Sequence, residues 1–482
     1  MYDVAIIGGG VSGCAIAREL SRFRIRIVLL ESCAEVGFGT TKTNSGIIHA
    51  GHHSSPNTLK GQLDVRGNKL FDELHKELKF SFRRIGELVV AQNKDDIAIL
   101  EQLKIQGQNK GVPGLELWEK DRLRREEPNL SYNLLAALHA PSAGVINPYE
   151  FAFALIENAV QNGLELKVDS PVTQIDRENS NLVLHTPRER ISARFVLNCA
   201  GIFADKIAQM VGLDDFSIHP RKGEEYMLDK RLQGLVRKLI FPVPSKTTKG
   251  TLIIPTFDGT LMVGPTAEDT EDRYDLSTTE AGSQKVFDFV SKICPAITAR
   301  DTITEFAGLR AVSSTDDFII GPTKISGFIN VAGIQSPGLT ASPAIAEYMC
   351  KILEDQGLVL EEKENFQKHV PRSPRFSLLG LDKRRQLVAQ DPLFAKVVCR
   401  CELVTEAEIH QAIKRGARTL DGIKFRSRAG MGRCQGGFCT SRCMNILAKT
   451  TGQPLHKITK RGDGSWIVKE MVNSQHPPKE PC

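Results

Sequence analysis

No stretch of this chain stays apolar for the roughly 18 residues that a membrane-spanning helix needs. Nor does it begin like a secretory signal. "MYDVAIIGGG" enters a strand and a glycine turn at once, with no basic segment and no small-residue cleavage site, so a cytoplasmic protein is expected. Charge of one sign is not gathered anywhere. The net charge is +6 and no long basic run carries it, which argues against nucleic-acid binding and leaves a small anionic substrate or an acidic partner patch. Internal repeats and low-complexity tracts are absent. The 11 cysteines are odd in number and spread along a long chain, unlike a secreted disulfide framework. Cys14, Cys33, Cys199, Cys294 and Cys350 stand in apolar surroundings and read as buried small hydrophobes.

What is present is enough for several cores. A chain of 482 residues divides into about two to four domains. Its 25% of charged residues against 41% apolar ones marks a globular protein.

The first motif is "DVAIIGGGVSGCAIARELSRF", read as strand, turn and helix. Asp3–Ile7 is rich in β-branched residues. Gly8, Gly10 and Gly13 fit G-x-G-x-x-G. Gly8 permits the tight turn, Gly10 lets the backbone approach a pyrophosphate, and Gly13 lets the helix pack closely on the strand. The helix N-terminus adds free N–H groups and the positive end of a dipole. "RIRIVLLE" then makes a second parallel strand that ends on Glu31, where a carboxylate can accept from a ribose hydroxyl. Together these point to dinucleotide binding rather than a plain glycine-rich turn. No second intact G-x-G-x-x-G marks a separate nicotinamide domain. "GFGTTKTNSGIIHAGHH", rich in small donors, suits a larger cofactor. "ARFVLNCAGIFADKIAQMVG" and "GFINVAGIQSPGLTASPAIAEYMCKIL" repeat the strand–small loop–helix design and would return to the same sheet.

In this order, "GGGVSG", "TTKTNSGIIHAG", "LNCAGIFAD", "GPTAED", "GLRAV" and "GIQSPGLTASPAIA" resemble the FAD-dependent oxidoreductases related to D-amino-acid oxidase. The likeness is nearest to the glycerol-3-phosphate dehydrogenase and L-2-hydroxyglutarate oxidase branch, and covers about the first 360 residues. It implies FAD, with Gly8, Gly10 and Gly13 at the pyrophosphate and Glu31 at the adenosine ribose. Thr40, Thr41, Asn44, Ser45 and Gly46 would run towards the isoalloxazine. Val172 would meet the adenine through its backbone, and Gly201 would approach the diphosphate. Gly338, Leu339 and Thr340, opening a helix, would present N–H groups to the flavin edge that becomes negative on reduction.

The resemblance also implies substrate contacts. Arg310 stands where the family places an arginine, and a guanidinium holds a carboxylate or phosphate through two hydrogen bonds. The bland alternative is a structural salt bridge. His49 is the candidate base or hydrogen-bond partner at the reacting hydroxyl. Alternatively it is a ring packed under the flavin, or its covalent attachment point. His52 and His53 follow closely and could do the same work, so His53 joins the substrate contacts. In "HPRKGEEYML", Lys222 stands where relatives more often carry arginine, which favours a phosphate over fork-like carboxylate binding. Tyr226 is a further candidate contact.

Four cysteines remain: Cys399 and Cys401, then Cys434 and Cys439. Zinc knuckles usually repeat C-x₂₋₄-C, so C-x-C fits them poorly. A redox disulfide would use Cys434 and Cys439 but leave C-x-C unexplained. A [2Fe–2S] cluster needs four thiolates, two per iron. Gly430, Gly432, Gly436 and Gly437 would admit backbone N–H groups to the sulfurs. The spacing resembles the BFD-like [2Fe–2S] domain, which makes all four cysteines ligands and Cys443 a neighbour. Thr405 and Glu408 form a capping-box pattern ahead of a helix. Arg400, Arg426, Arg428, Arg433 and Arg442 make this module basic, as a docking face or a solvated surface.

The expected architecture is α/β: a discontinuous Rossmann-type FAD-binding domain (1–80, 145–212, 325–360) and an α+β substrate domain dominated by antiparallel sheet (81–144, 213–324). A linker (361–396), a small helical iron–sulfur domain (397–450) and a frayed tail (451–482) ending in "QHPPKEPC" would follow. The expected function is oxidation of a small anionic hydroxy-substrate, glycerol 3-phosphate first, with electrons leaving through the cluster to an acceptor protein or membrane-associated carrier. L-2-hydroxyglutarate or another 2-hydroxy acid, an amino acid or amine, and a non-catalytic electron-transfer subunit are the alternatives.

Overall fold

The computed structural model describes residues 1–244, 250–372 and 375–469. The "QHPPKEPC" terminus therefore lies outside the described residues. The chain divides into two compact units, Met1–Arg372 and Ser373–Cys482. No helix among the described residues is long and apolar enough to cross a membrane.

The first unit is built on two large sheets. In one, the strands Glu165–Lys167, Ile27–Leu30, Tyr2–Ile7, Arg190–Asn198 and Phe328–Ala332 run parallel in that spatial order. Antiparallel strands, Ile319–Pro322 among them, extend the edges. Val4, Ala5, Ile6, Val28 and Leu29 are fully buried, as unbroken apolar runs between helical layers should be. The helices Val11–Leu20, Leu59–Leu78, Pro148–Gln161 and Gly338–Asp355 pack together on this framework. Gly67 lets two of them touch: a Cβ there would stand 2.1 Å from the Thr340 carbonyl oxygen.

The second sheet has nine strands and is mostly antiparallel. Its longest pair is Ile218–Leu228 against Thr302–Ser313. "TFDGT" closes a hairpin between Leu252–Pro255 and Leu261–Gly264, with Gly259 at φ +87°. "RRIGELVVAQ" does not form one strand. It breaks at Gly86 (φ +74°) into Phe82–Arg84 and Glu87–Ala91. The first piece joins a separate three-stranded sheet with Ile47–Ile48 and Gly144–Ile146. That small sheet seats the segment leading into His49.

The second unit holds a short hairpin, Val397–Cys399 with Val404–Thr405, and the helices Glu406–Lys414, Leu420–Ser427 and Thr440–Thr451. Thr405 and Glu408 form the expected capping box. Ile409, Ile413, Ile423 and Leu447 fill the core between these helices. Each such side chain contributes roughly 1.5–3 kcal/mol on burial. The stretch read as a linker is partly structured: Leu381–Gln390 is a helix, and Phe376 stacks on Phe394 at 6.0 Å.

Candidate functional site

The glycine turn has the geometry that a pyrophosphate requires. Gly8 sits at φ +104°, and a Cβ there would lie 2.4 Å from the Cys199 carbonyl oxygen. A Cβ at Gly13 would lie 2.1 Å from the Gly8 carbonyl oxygen, so helix and strand meet backbone to backbone. At Gly10 only the Thr41 hydroxyl is near, at 3.6 Å, and at Gly201 (φ +56°) nothing lies within 4 Å. The helix Val11–Leu20 starts at Gly10, which has no side chain to cap it, so the first-turn N–H groups after Val11 are left to an anion. Thr41 accepts a hydrogen bond from the Val11 N–H at 3.0 Å. Glu31 is buried, accepting from the Gly9 N–H at 2.7 Å and the Cys33 N–H at 2.8 Å. Val172 packs at the edge of the core beneath this sheet. Burial raises the Cys14 and Cys199 thiols, which makes them inert.

From there the segment 40–49 crosses to the second sheet. Thr40 donates to the Leu309 carbonyl at 2.8 Å, and Gly308 admits Thr43, whose hydroxyl a Cβ would meet at 2.4 Å. Asn44 accepts from the Gly46 N–H at 2.8 Å. Gly46 (φ +69°) presses against the Ile146 carbonyl. Ser45 donates to Glu225. The His49 N–H donates to Thr340 Oγ1 at 2.9 Å, and His49 Nε2 faces Ser336 Oγ at 3.4 Å. The buried His49 ring thus stands at the N-terminus of the helix Gly338–Asp355, which also has no side-chain cap. Leu339 and Thr340 are buried in its first turn. His53 lies behind His49, with ring centroids 6.1 Å apart. His52 and His53 both approach Glu87, at 3.3 and 3.7 Å.

Arg310 lies across Gly223 on the paired strand; a Cβ on Gly223 would be 2.5 Å from its Nη2. Arg310 Nη2 donates to the Thr266 carbonyl at 3.2 Å, while Nη1 is buried and makes no hydrogen bond among the described residues. On the same face, Glu225 is buried and its Oε2 makes no hydrogen bond among the described residues. Burial pushes the Glu225 carboxyl up to about 7, against the opposing pull of Ser45 and Arg310. Burial likewise lowers Arg310, opposed by the Glu225 charge.

Two further candidate contacts do not share the Arg310 face. Lys222 and Tyr226 project from the opposite face of the strand, because side chains alternate with a period of two. Lys222 is paired with Asp275 at 2.7 Å. Tyr226, 1% exposed, donates to Glu224 at 2.8 Å and packs among the core residues that include Val286 and Val290 of the helix Glu280–Ile293. Both side chains thus leave the strand on the face away from Arg310, while Glu225, which the sequence pattern did not single out, shares the Arg310 face. "GEEY" held the signal: two consecutive carboxylates in a strand must face opposite sides.

In the second unit the two cysteine pairs come together. Cys401 and Cys434 have sulfurs 3.5 Å apart, and Cys399 is hydrogen-bonded to Cys439. All four are free thiols. Backbone N–H groups of Glu402 and Gly430 point to Cys399, and those of Gly436 and Phe438 to Cys434. Gly430 (φ +89°) and Gly436 (φ +88°) permit this, and a Cβ at Gly432 would stand 2.3 Å from Cys401 Cβ. A buried pair, Arg428 to Glu402 at 2.9 Å, ties the two loops together. Cys443 contacts Cys439 from the next helical turn. Four convergent thiols with amide donors fit a [2Fe–2S] cluster.

Family models agree with this geometry: FAD dependent oxidoreductase matches residues 3–352, and BFD-like [2Fe-2S] binding domain matches residues 397–449. The chain belongs to the FAD-dependent oxidoreductases, with FAD and a [2Fe–2S] cluster as its cofactors. It is 45% identical to a glycerol 3-phosphate dehydrogenase of Caloramator mitchellensis, over 98% of this chain and 100% of that one. It is 30% identical to a glycerol 3-phosphate oxidase of Mycoplasma genitalium, over 76% of this chain and 97% of the relative. Among solved structures, the dithionite-reduced L-α-glycerophosphate oxidase of Mycoplasma pneumoniae, with FAD bound, superposes with a TM-score of 0.74 at 28% identity. That match covers 77% of this chain and 99% of the other.

Proposed function

We propose that this enzyme oxidises glycerol 3-phosphate to dihydroxyacetone phosphate and passes the electrons through its cluster to an acceptor protein or membrane-associated carrier. The observation that carries this reading is Arg310 Nη1, buried and without a hydrogen bond among the described residues, on the sheet face to which the segment 40–46 docks. A buried cationic donor of that kind calls for an anionic ligand. The near full-length likeness to a glycerol 3-phosphate dehydrogenase supports a phosphate in that role.

The residues divide the work. Arg310 holds the anionic tail. His49, fixed through its backbone by Thr340 and facing Ser336, takes the hydroxyl proton as the carbon loses its hydride. His53 stands behind it, with its ring edge-on to that of His49. Gly8, Gly10, Gly13, Glu31, Thr41, Val172 and Gly201 hold the dinucleotide; Thr40, Asn44, Ser45, Gly46 and Gly338–Thr340 bound the flavin end. Cys399, Cys401, Cys434 and Cys439 hold the cluster. Bound FAD supplies the acceptor for a hydride, and the cluster a one-electron carrier.

Anaerobic mixing with single substrates tests this. Glycerol 3-phosphate should bleach the flavin absorbance, and L-2-hydroxyglutarate and amino acids should not. Bleaching by a hydroxy acid instead would replace the substrate, and bleaching by none would leave only an electron-transfer role.

A further inference from the structure

Arg310 alone would hold any small anion, so it does not explain a choice between a polyol phosphate and a hydroxy acid. A second charge shares its face. Glu225 is 2% exposed, lies on the partner strand two residues beyond the glycine that Arg310 covers, and is gripped at one oxygen by Ser45. Ser45 belongs to the segment that leads to His49. No direct ion pair joins Glu225 to Arg310 among the described residues. Within the same set of residues each instead keeps one buried polar atom without a hydrogen bond, Oε2 of Glu225 and Nη1 of Arg310. Two buried, opposite, half-satisfied charges on one sheet face suit a ligand that brings an anion to one and a hydroxyl to the other.

We propose that Glu225 is the specificity-determining residue of this site: it accepts a hydrogen bond from a second hydroxyl of an anionic polyol held by Arg310, and rejects hydroxy acids that carry a second carboxylate. This rests on the reading that the enzyme oxidises a small polyol phosphate. Two effects work together. A substrate lacking the hydroxyl leaves a buried carboxylate oxygen unpaired, which sites of this kind penalise heavily. A dicarboxylate would bring like charge against a buried acid, a repulsive element that discriminates without any new attraction. Gly264 keeps the space tight around the residue, since a Cβ there would meet Glu225 Cα at 3.1 Å and Cγ at 3.3 Å.

The test uses the holoenzyme with both cofactors and follows anaerobic flavin reduction against substrate concentration. Three substrates are compared: glycerol 3-phosphate, propane-1,2-diol 1-phosphate (which lacks only the terminal hydroxyl) and L-2-hydroxyglutarate. The wild type should prefer glycerol 3-phosphate over its deoxy analogue by roughly a hundredfold or more. Glu225→Gln keeps an acceptor but loses the charge. It should lower the preference for glycerol 3-phosphate over L-2-hydroxyglutarate by about tenfold or more, chiefly through a lower KM for the hydroxy acid. If the wild type reduces equally fast with the deoxy analogue, or if Glu225→Gln retains FAD with an unchanged preference, the role of Glu225 is overturned while the polyol phosphate reading stands. Should Glu225→Gln fail to retain FAD, the wild-type comparison decides alone. A wild type reduced by none of the three, or best by L-2-hydroxyglutarate, overturns that reading and this one with it.

Discussion

Lys222 and Arg310 stand on neighbouring antiparallel strands, yet their side chains leave the sheet from opposite faces. Lys222 is held by Asp275, whereas Arg310 covers Gly223 beneath the segment 40–46. Arg310→Ala should raise the KM for substrate steeply, by about 2–5 kcal/mol if a buried charge is left unpaired. Lys222→Ala should leave that constant unchanged and cost about 1–3 kcal/mol of stability, because it removes a buried lysine and leaves Asp275 without its partner. Steady-state kinetics and thermal unfolding of the two variants separate these roles, and equal KM values would remove Arg310 as the anchor.

The glycine beneath Arg310 allows an independent check. Gly223→Ala places a Cβ 2.5 Å from Nη2 and must displace the guanidinium. It should copy Arg310→Ala in KM while retaining flavin. Gly13→Ala, whose Cβ would meet the Gly8 carbonyl at 2.1 Å, should instead lose FAD, read as the ratio of flavin to protein absorbance.

Cys401 and Cys434 pair across the two loops with sulfurs 3.5 Å apart. Cys434→Ser should abolish the visible and paramagnetic signals of the cluster and stop turnover with one-electron acceptors. Flavin bleaching by substrate should persist, because the residues proposed for that step all lie in the first unit. Loss of bleaching together with the cluster signal would show that the two halves do not divide the reaction in this way.

Glu225 links stability to pH. Its carboxyl is raised to about 7 by burial, so the folded protein holds a proton that the unfolded chain releases at lower pH. Stability is then lost as pH rises from the ordinary carboxyl range through about 7. Glu225→Gln removes this cost. The variant should match the wild type in unfolding free energy near pH 5 and exceed it at pH 8 by on the order of 3 kcal/mol. A difference independent of pH would mean that Glu225 is ionised throughout.

Much of this was legible before any coordinates. G-x-G-x-x-G between strands, the C-x-C and C-x₄-C pairs, and the capping box at Thr405 are local devices. Each works through contiguous backbone geometry, so a short stretch of residues carries the whole signal. The order of small-residue loops also identified the flavin fold.

Tertiary structure alone decided what depends on register. Which face of Ile218–Leu228 meets Arg310 is set by pairing with a strand far along the chain, and a shift of one residue exchanges Glu225 for Lys222 and Tyr226. The kink at Gly86 and the approach of Glu87 to His52 and His53 likewise arise between distant segments. Both cofactors were legible in short stretches of residues, because glycine turns and thiol pairs bind through local geometry. The lining of the substrate site was left to the fold, because strand parity is a property of paired strands and not of either one.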